Sequence, residues 1–171
     1  MHRFMLLFLL GSMAILWGQG GTSSKKALLI AIWDYTPELK LESPKAAVSQ
    51  LTAPLERMGF HITKVQNPSR QQLIESLSAF RESLKEGETA LLYFDGHGMT
   101  LDGDTLLLPV DYPLNARDPL DYALSLSERF VRPTARSGIR RFVMFNACRS
   151  QVETALKLRS GFRAYQPGDV Q

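Results

Sequence analysis

The chain has 171 residues, of which 44% are hydrophobic and 22% are charged, which predicts one globular domain with its own core. The net charge of +3 is only mildly basic, and no run of Lys and Arg is longer than two residues. Because zinc-finger patterns and the G-x-x-x-x-G-K-[ST] loop are also absent from the sequence, we expect no nucleic-acid partner.

The first twenty residues differ in composition from the rest of the chain. A charged start at His2 and Arg3 precedes an almost unbroken apolar run over residues 4–17, and small and polar residues follow. This order is typical of a secretory signal peptide, whereas a membrane-spanning helix needs about 20 apolar residues, so an uncleaved anchor is the less favoured alternative. We therefore predict a signal peptide at 1–20 and a secreted or periplasmic domain at 25–171, with no stable membrane insertion after cleavage.

Downstream, apolar runs alternate with amphipathic stretches. Residues 27–32 form a continuous apolar run of strand length. After Ser43, apolar residues recur up to position 58 at the spacing of one helix face, and Pro54 is expected to bend or split that helix. Residues 60–65 alternate apolar with polar side chains, which is typical of an exposed edge strand.

The remaining elements follow the same alternation. Ser69 precedes a second amphipathic helix, and Ser127 precedes a short third one. Asp102-Gly103 is a turn signal before an apolar strand. Residues 90–94 are apolar throughout, as expected of a central strand covered on both faces. The five predicted strands are 27–32, 60–65, 90–94, 105–109 and 141–146.

Strands that alternate with helices indicate an α/β fold, and we predict a three-layer sandwich with a mostly parallel sheet. The first, third, fourth and fifth strands are expected to be parallel. In such sheets the functional groups lie beyond the carboxyl ends of the strands. Two reactive side chains occupy such positions: His97, between Gly96 and Gly98, and Cys148, the only cysteine of the chain.

The two residues suggest one chemistry when they are taken together. Alone, His97 has the ordinary interpretation of a hydrogen-bonded histidine in a tight turn, and Cys148 that of a small core residue. A neighbouring imidazole, however, can take the thiol proton and so produce a nucleophilic thiolate. Backbone N–H groups near Gly98 and Cys148 can then stabilise an oxyanion.

These motifs resemble those of a known family. Asp95-Gly96-His97-Gly98 and Asn146-Ala147-Cys148-Arg149-Ser150 look like the histidine and cysteine motifs of caspase-like peptidases, and most like those of metacaspases and bacterial members. His97 precedes Cys148 by 51 residues, and in caspases the separation is about 50. The resemblance covers about residues 25–152, the large-subunit part of the family domain. It includes the opening strand, Met58-Gly59-Phe60 and Leu107-Leu108-Pro109-Val110-Asp111.

The resemblance implies a peptide-bond hydrolase acting on a peptide or protein substrate without a cofactor or metal. His97 would be the general base, Cys148 the nucleophile and Gly98 an oxyanion donor. Metacaspases have an aspartate two residues before the cysteine, in the pocket for a basic side chain. Here that position is Asn146, and Asp34 is expected to face the same pocket.

The resemblance also leaves an alternative function. The family domain continues with another helix and two strands, whereas this chain ends 23 residues after Cys148. A catalytically degenerate caspase-like module that binds a peptide or protein partner is therefore the alternative to an endopeptidase. The sequence carries no signal for an oligomeric state.

Further expectations concern the geometry of the site. The imidazole of His97 and the sulfur of Cys148 should lie within roughly 6 Å of each other, and both should reach solvent. Asp34 and Asn146 should lie near the cysteine. Asp95 is more readily interpreted as a turn-capping carboxylate than as a catalytic one. The side chain of His61 is expected to lie in solvent. The aromatic rings of Trp33 and Tyr35 are expected to line either a cleft wall or the core.

Overall fold

The computed structural model describes residues 24–113, 116, 118–135 and 138–147. The predicted signal peptide and Cys148 lie outside these residues. The strands are β1 Lys25–Ala31, β2 Phe60–Gln66, β3 Thr89–Gly96, β4 Gly98–Leu101, β5 Asp104–Leu107, β6 Leu124–Ser125 and β7 Arg140–Ala147. The helices are α1 Pro44–Arg57, α2 Arg70–Ser83 and α3 Arg132–Thr134, with 3-10 turns at Pro37–Leu39 and Pro119–Asp121 and a π-helical turn at Ser127–Val131 that leads into α3.

Four strands form a parallel sheet in the order β2-β1-β3-β7. The strand β3 lies between β1 and β7, and every one of its residues is buried. In contrast, β2 lies at the edge and alternates half-buried with exposed residues, so that His61 is exposed. The mixed α/β class with a mostly parallel sheet, the central position of β3 and the edge position of β2 are therefore as the sequence predicts.

Helices cover both faces of this sheet. On one face, Ala27, Leu29 and Ala31 of β1 pack with Val48 and Leu55 of α1. The alternating residues of β1 point to the opposite face, because successive side chains of a strand lie on opposite sides. On this opposite face a second hydrophobic cluster joins β1 and β3 to α2 and the π-helical turn. Its members include Leu28, Ile30, Leu92, Phe94, Leu73, Leu77 and Phe130.

The helix α1 differs from its prediction at its C-terminal end. Of the two effects expected of Pro54, a bend or a split, the split does not occur, because one helix runs through Pro54. The helix ends at Arg57, and Met58 lies beyond it with 59% of its surface exposed, so Met58 does not belong to the buried stripe. Gly59 then adopts a positive φ of 83°, which reverses the chain towards β2.

The predicted strand at 105–109 is placed differently in the structure. Its residues 105–107 lie in β5, which pairs antiparallel with β4 and β6 in a separate three-stranded sheet, whereas residues 108 and 109 lie beyond the end of β5. The reason is the turn at Asp102 and Gly103, whose φ angles of 49° and 82° reverse the chain within two residues. Parallel pairing needs a crossover of about a dozen residues, so the prediction of a parallel strand here was wrong.

Among the residues that the structure describes, no helix is long and apolar enough to cross a bilayer.

Candidate functional site

His97 lies between the end of β3 and the start of β4, at the carboxyl edge of the parallel sheet. Its backbone N–H donates to the hydroxyl of Tyr35 at 3.0 Å, and its carbonyl oxygen accepts from the N–H of Leu108 at 3.1 Å. The preceding Gly96 leaves room for this arrangement, because a Cβ atom there would lie 2.8 Å from the Tyr35 hydroxyl oxygen. The glycine and the two hydrogen bonds together set the position of the histidine backbone.

The imidazole of His97 is oriented by a backbone carbonyl. Its Nε2 atom lies 2.7 Å from the carbonyl oxygen of Leu39. A carbonyl oxygen only accepts hydrogen bonds, so Nε2 carries the hydrogen and Nδ1 is the unprotonated nitrogen of the neutral ring. The ring of Tyr35 packs against the imidazole with centroids 4.6 Å apart and planes inclined by 53°. The neutral ring therefore has its basic nitrogen at Nδ1.

The expectation that His97 reaches solvent was wrong. The residue is 0% exposed. The ring of Tyr35 packs on the imidazole, and the 3-10 turn Pro37–Leu39 brings the Leu39 carbonyl onto its Nε2 edge. The histidine is thus enclosed by the segment that follows β1.

That segment is tied to the neighbouring strand end by Asn67. The Oδ1 atom of Asn67 accepts the N–H groups of Trp33 at 2.8 Å and Asp34 at 3.1 Å. The N–H of Leu41 then donates to the carbonyl of Trp33 at 3.0 Å, which closes the segment on itself. Asp34 is exposed at the carboxyl end of β1, held by its backbone on the side of β2.

Asn146 pairs with a buried carboxylate. It lies opposite Asp95 in the register of β3 and β7, and its Nδ2 atom donates to Asp95 Oδ2 at 3.2 Å. The hydroxyl of Tyr93 donates to the same oxygen at 2.9 Å. Asp95 thus accepts from two side chains within the sheet and does not cap a turn, contrary to the interpretation from sequence. Burial raises the pKa of Asp95, and the hydrogen bonds from Tyr93 and Asn146 act in the opposite direction.

The end of β7 approaches the histidine turn. Its last residue, Ala147, lies opposite Gly96 in the strand register, and a Cβ atom on Gly98 would lie 3.7 Å from Ala147 Cβ. Cys148 is the next residue in the chain, and it lies outside the described residues. The predicted distance between His97 and Cys148 therefore stays a prediction.

Two groups at this site were not assigned a role from the sequence. The first is the Leu39 carbonyl, for which the sequence carries no signal because every residue has a carbonyl. The second is the Tyr35 hydroxyl, which links His97 to Leu108 from within the core. The core interpretation of Tyr35 agrees with its burial, but its contact with the histidine backbone depends on the path of the chain after β1.

Among residues 24–147 as far as the structure describes them, no group of three or more His, Cys, Asp and Glu side chains lies close enough to hold a metal ion.

Comparison with sequences of known proteins gives matches over much of this region. The family model described as Caspase domain matches residues 24–167. The mucosa-associated lymphoid tissue lymphoma translocation protein 1 homolog of Mus musculus is 31% identical over 96 residues, which are 56% of this chain and 12% of the mouse protein. Its Homo sapiens counterpart is 32% identical over 89 residues, 52% of this chain and 11% of the human protein. The chain therefore matches only a small part of these relatives.

Comparison with solved structures supports the fold. The Drosophila initiator caspase Dronc superposes with a TM-score of 0.56 at 15% identity, covering 71% of this chain and 47% of Dronc. A protein of Geobacter sulfurreducens superposes with a TM-score of 0.54 at 20% identity, covering 73% of this chain and 50% of that protein. These superpositions show the fold, and the match of the Caspase domain model to residues 24–167 establishes that the chain belongs to the caspase-like peptidase family.

Proposed function

We propose that this chain is a secreted cysteine endopeptidase of the caspase type, in which His97 and Cys148 form the catalytic dyad. The observation that carries the proposal is the orientation of His97, whose Nε2–H is held by the Leu39 carbonyl so that Nδ1 is the basic nitrogen. The register of β3 and β7 supports it, because Ala147 lies opposite Gly96 and Cys148 follows directly.

In the proposed reaction, Nδ1 of His97 takes the proton of the Cys148 thiol. The thiolate sulfur forms a bond to the carbonyl carbon of the scissile peptide, and the carbonyl electrons move onto the oxygen. The N–H of Gly98 donates to this oxyanion. The carbon–nitrogen bond then breaks, and the leaving amine takes the proton from the imidazolium of His97.

The resulting acyl-enzyme is resolved by water. Nδ1 takes a proton from the attacking water, the hydroxide adds to the thioester carbon, and the sulfur leaves as a thiolate that recovers the proton from His97. The products are a carboxylic acid and an amine, and the enzyme returns to its starting state. The Leu39 carbonyl stabilises the imidazolium in both halves of the reaction, because it accepts the Nε2–H throughout.

The substrate pocket is proposed to include Asp34 and Asn146. Asp34 is exposed at the carboxyl end of β1 and offers a negative charge to a basic side chain. Asn146 is exposed at the end of β7 and offers an uncharged amide, with the Asp95 carboxylate directly behind it. This combination favours Lys or Arg before the scissile bond, with a weaker electrostatic attraction than a second exposed carboxylate would give.

One observation favours the alternative, a caspase-like module that binds a peptide or protein without cleaving it. His97 is fully buried, whereas a general base has to exchange protons with groups of a bound substrate. In this alternative the imidazole has a structural role, and Cys148 is an ordinary thiol without an activating base.

A panel of fluorogenic peptides with Arg, Lys, Asp or Leu before the scissile bond tests the two functions. Under the endopeptidase proposal, Cys148→Ala and His97→Ala each abolish cleavage. His61→Ala is the matched control, since His61 is exposed on the edge strand β2 and should leave the rate unchanged. Cleavage that survives Cys148→Ala would exclude the proposed mechanism.

Alkylation of Cys148 separates the two functions without a substrate. An activated thiol reacts rapidly with iodoacetamide near neutral pH, whereas an unactivated thiol has a pKa of about 8.5 and reacts slowly. A rate equal to that of free cysteine, together with retained peptide binding, would favour the binding module.

Secretion is proposed from the charged and apolar composition of residues 1–20. Expression of the full chain in a bacterium, followed by N-terminal sequencing of the periplasmic fraction, tests it. A mature protein that begins shortly after residue 20 supports secretion, and an uncleaved chain in the cytosol contradicts it.

A further inference from the structure

The side chain of Tyr35 links three segments of the chain at the histidine. Its hydroxyl accepts the backbone N–H of His97 at 3.0 Å and donates to the carbonyl oxygen of Leu108 at 2.9 Å. Leu108 in turn donates its N–H to the carbonyl oxygen of His97 at 3.1 Å. The His97 carbonyl is therefore bonded directly to the Leu108 N–H, and the His97 N–H is connected to the Leu108 carbonyl through the tyrosine hydroxyl.

The same tyrosine is connected to the imidazole in two further ways. Its ring packs on the imidazole with centroids 4.6 Å apart. Four residues after Tyr35, the carbonyl of Leu39 accepts the Nε2–H of His97. A displacement of Tyr35 would thus move both the backbone of His97 and the carbonyl that orients its ring.

We propose that Tyr35 is a positioning residue for His97: its hydroxyl sets the histidine backbone so that Nε2–H meets the Leu39 carbonyl and Nδ1 is the basic nitrogen. Tyr35 makes no contact with the substrate in this proposal, and it acts through its contacts with His97. The inference rests on the proposed endopeptidase function for its kinetic consequence, but the orientation of the imidazole can be measured independently.

The surroundings of the hydroxyl agree with this role. Tyr35 is buried, and burial raises its pKa, so the phenol keeps its proton for donation to Leu108 throughout the physiological range. The hydroxyl is also closely confined, since a Cβ atom on Gly96 would lie only 2.8 Å from its oxygen. Both features favour one fixed position of the hydroxyl.

The test is the Tyr35→Phe variant, which keeps the ring and removes the hydroxyl. The first readout is the exchange of the His97 Nε2–H with water, followed by NMR of protein labelled with ¹⁵N-histidine. The other two histidines of the chain are His2 and His61. We expect the exchange to be at least about tenfold faster in the variant, since misalignment weakens the hydrogen bond to Leu39.

The second readout is kinetic. Misplacement of a catalytic group by about 1 Å can lower a rate by about 100-fold, so we expect kcat to fall by about 10- to 100-fold while KM changes less than about threefold. Tyr93→Phe is the matched control for the NMR readout. It also removes a buried hydroxyl with a hydrogen bond, to Asp95, and should leave the exchange of the His97 Nε2–H as in the wild type.

The outcomes are distinct. Faster exchange in Tyr35→Phe with a lower kcat supports the proposal. If the wild type cleaves no peptide, faster exchange in Tyr35→Phe still supports positioning, while the endopeptidase function is refuted. Unchanged exchange and unchanged kcat, with only a lower melting temperature, would overturn the proposal, since Tyr35 would then act in stability alone.

If Tyr35→Phe does not fold, Gly96→Ala provides a second variant. The added methyl group would meet the Tyr35 hydroxyl and displace it from its place between His97 and Leu108. Faster exchange of the His97 Nε2–H in this variant supports the proposal, and wild-type exchange contradicts it.

Discussion

The Nε2 atom of His97 lies 2.7 Å from the carbonyl oxygen of Leu39, which lies 58 residues earlier in the chain. The group that orients the imidazole is therefore part of the backbone. A side-chain substitution at Leu39 cannot remove it, provided that the 3-10 turn Pro37–Leu39 keeps its conformation.

This relationship predicts different effects for two substitutions on the reactivity of Cys148. Leu39→Met keeps the carbonyl and conserves the volume of the side chain, so it should lower the free energy of unfolding by less than about 1.5 kcal/mol. The rate of iodoacetamide alkylation should stay within about twofold of the wild type. His97→Ala removes the base and should slow the alkylation at pH 7 by at least about tenfold.

A pH series from 5 to 9 supplies the control for this comparison. At high pH the thiol ionises without assistance, so the rates of His97→Ala and the wild type should converge. Equal rates at pH 7 would contradict the assignment of His97 as the base.

Asp95 predicts a dependence of stability on pH. Burial raises its pKa in the folded state above the usual value, so the folded state binds the proton more tightly than the unfolded state. This contribution to stability is fully present below the pKa of the unfolded state and is lost as pH rises through the folded pKa. Asp95→Asn removes the titration while its amide oxygen can still accept from Tyr93 and Asn146.

We therefore expect the free energy of unfolding of Asp95→Asn, relative to the wild type, to increase from pH 4 to pH 8. Urea denaturation at steps of one pH unit measures this difference. Asp121→Asn, at an exposed carboxyl group, controls for the loss of one negative charge. A difference that decreases with rising pH would show that the carboxylate is the form favoured by folding.

The central sheet could be predicted from sequence because the signals for it are local. The continuous apolar residues of β3 require burial on both faces, and the alternation in β2 requires one exposed face. Likewise, Ser69 caps α2 with its side-chain oxygen accepting from the N–H of Gln72, while the Gln72 side chain accepts the N–H of Ser69. Each of these features depends on residues close together in the chain.

The wrong predictions concern features that depend on distant parts of the chain. The Asp102-Gly103 turn signal conflicts with a parallel strand at 105–109, since a two-residue reversal allows only antiparallel pairing of β5 with β4. The burial of His97 has no local signal. It depends on the path of the segment from Tyr35 to Leu39, whose final position results from tertiary contacts such as the bonds to Asn67.

Pro54 predicts a stabilising substitution. It lies inside α1 and is exposed, so its ring contributes little packing, and it lacks the N–H that would donate to the carbonyl of Gln50. Replacement by Ala supplies this N–H and a residue of high helix propensity. Proline destabilises a helix interior by about 3 kcal/mol relative to Ala. Proline also restricts the unfolded chain, and this loss of conformational entropy offsets up to about 1 kcal/mol of that destabilisation.

Pro54→Ala should therefore raise the free energy of unfolding by about 1–2 kcal/mol, measured by urea denaturation. Lys45→Ala, at an exposed position of the same helix, should change it by no more than about 0.5 kcal/mol. A loss of stability in Pro54→Ala would mean that the proline is needed for the packing of α1 on the sheet.

The last prediction compares two phenylalanines on the neighbouring strands β3 and β7. Phe94 is 0% exposed and contacts the ring of Phe145 with centroids 6.2 Å apart, whereas Phe142 is 57% exposed. Phe94→Ala should lower the free energy of unfolding by about 3–5 kcal/mol, because it removes buried contacts and leaves a cavity. Phe142→Ala should lower it by less than about 1 kcal/mol, since most of that ring is already in water. Urea denaturation of the 171-residue chain measures both values, and a cost at Phe142 as large as that at Phe94 would show that another segment or a second molecule covers this face of β7 in solution.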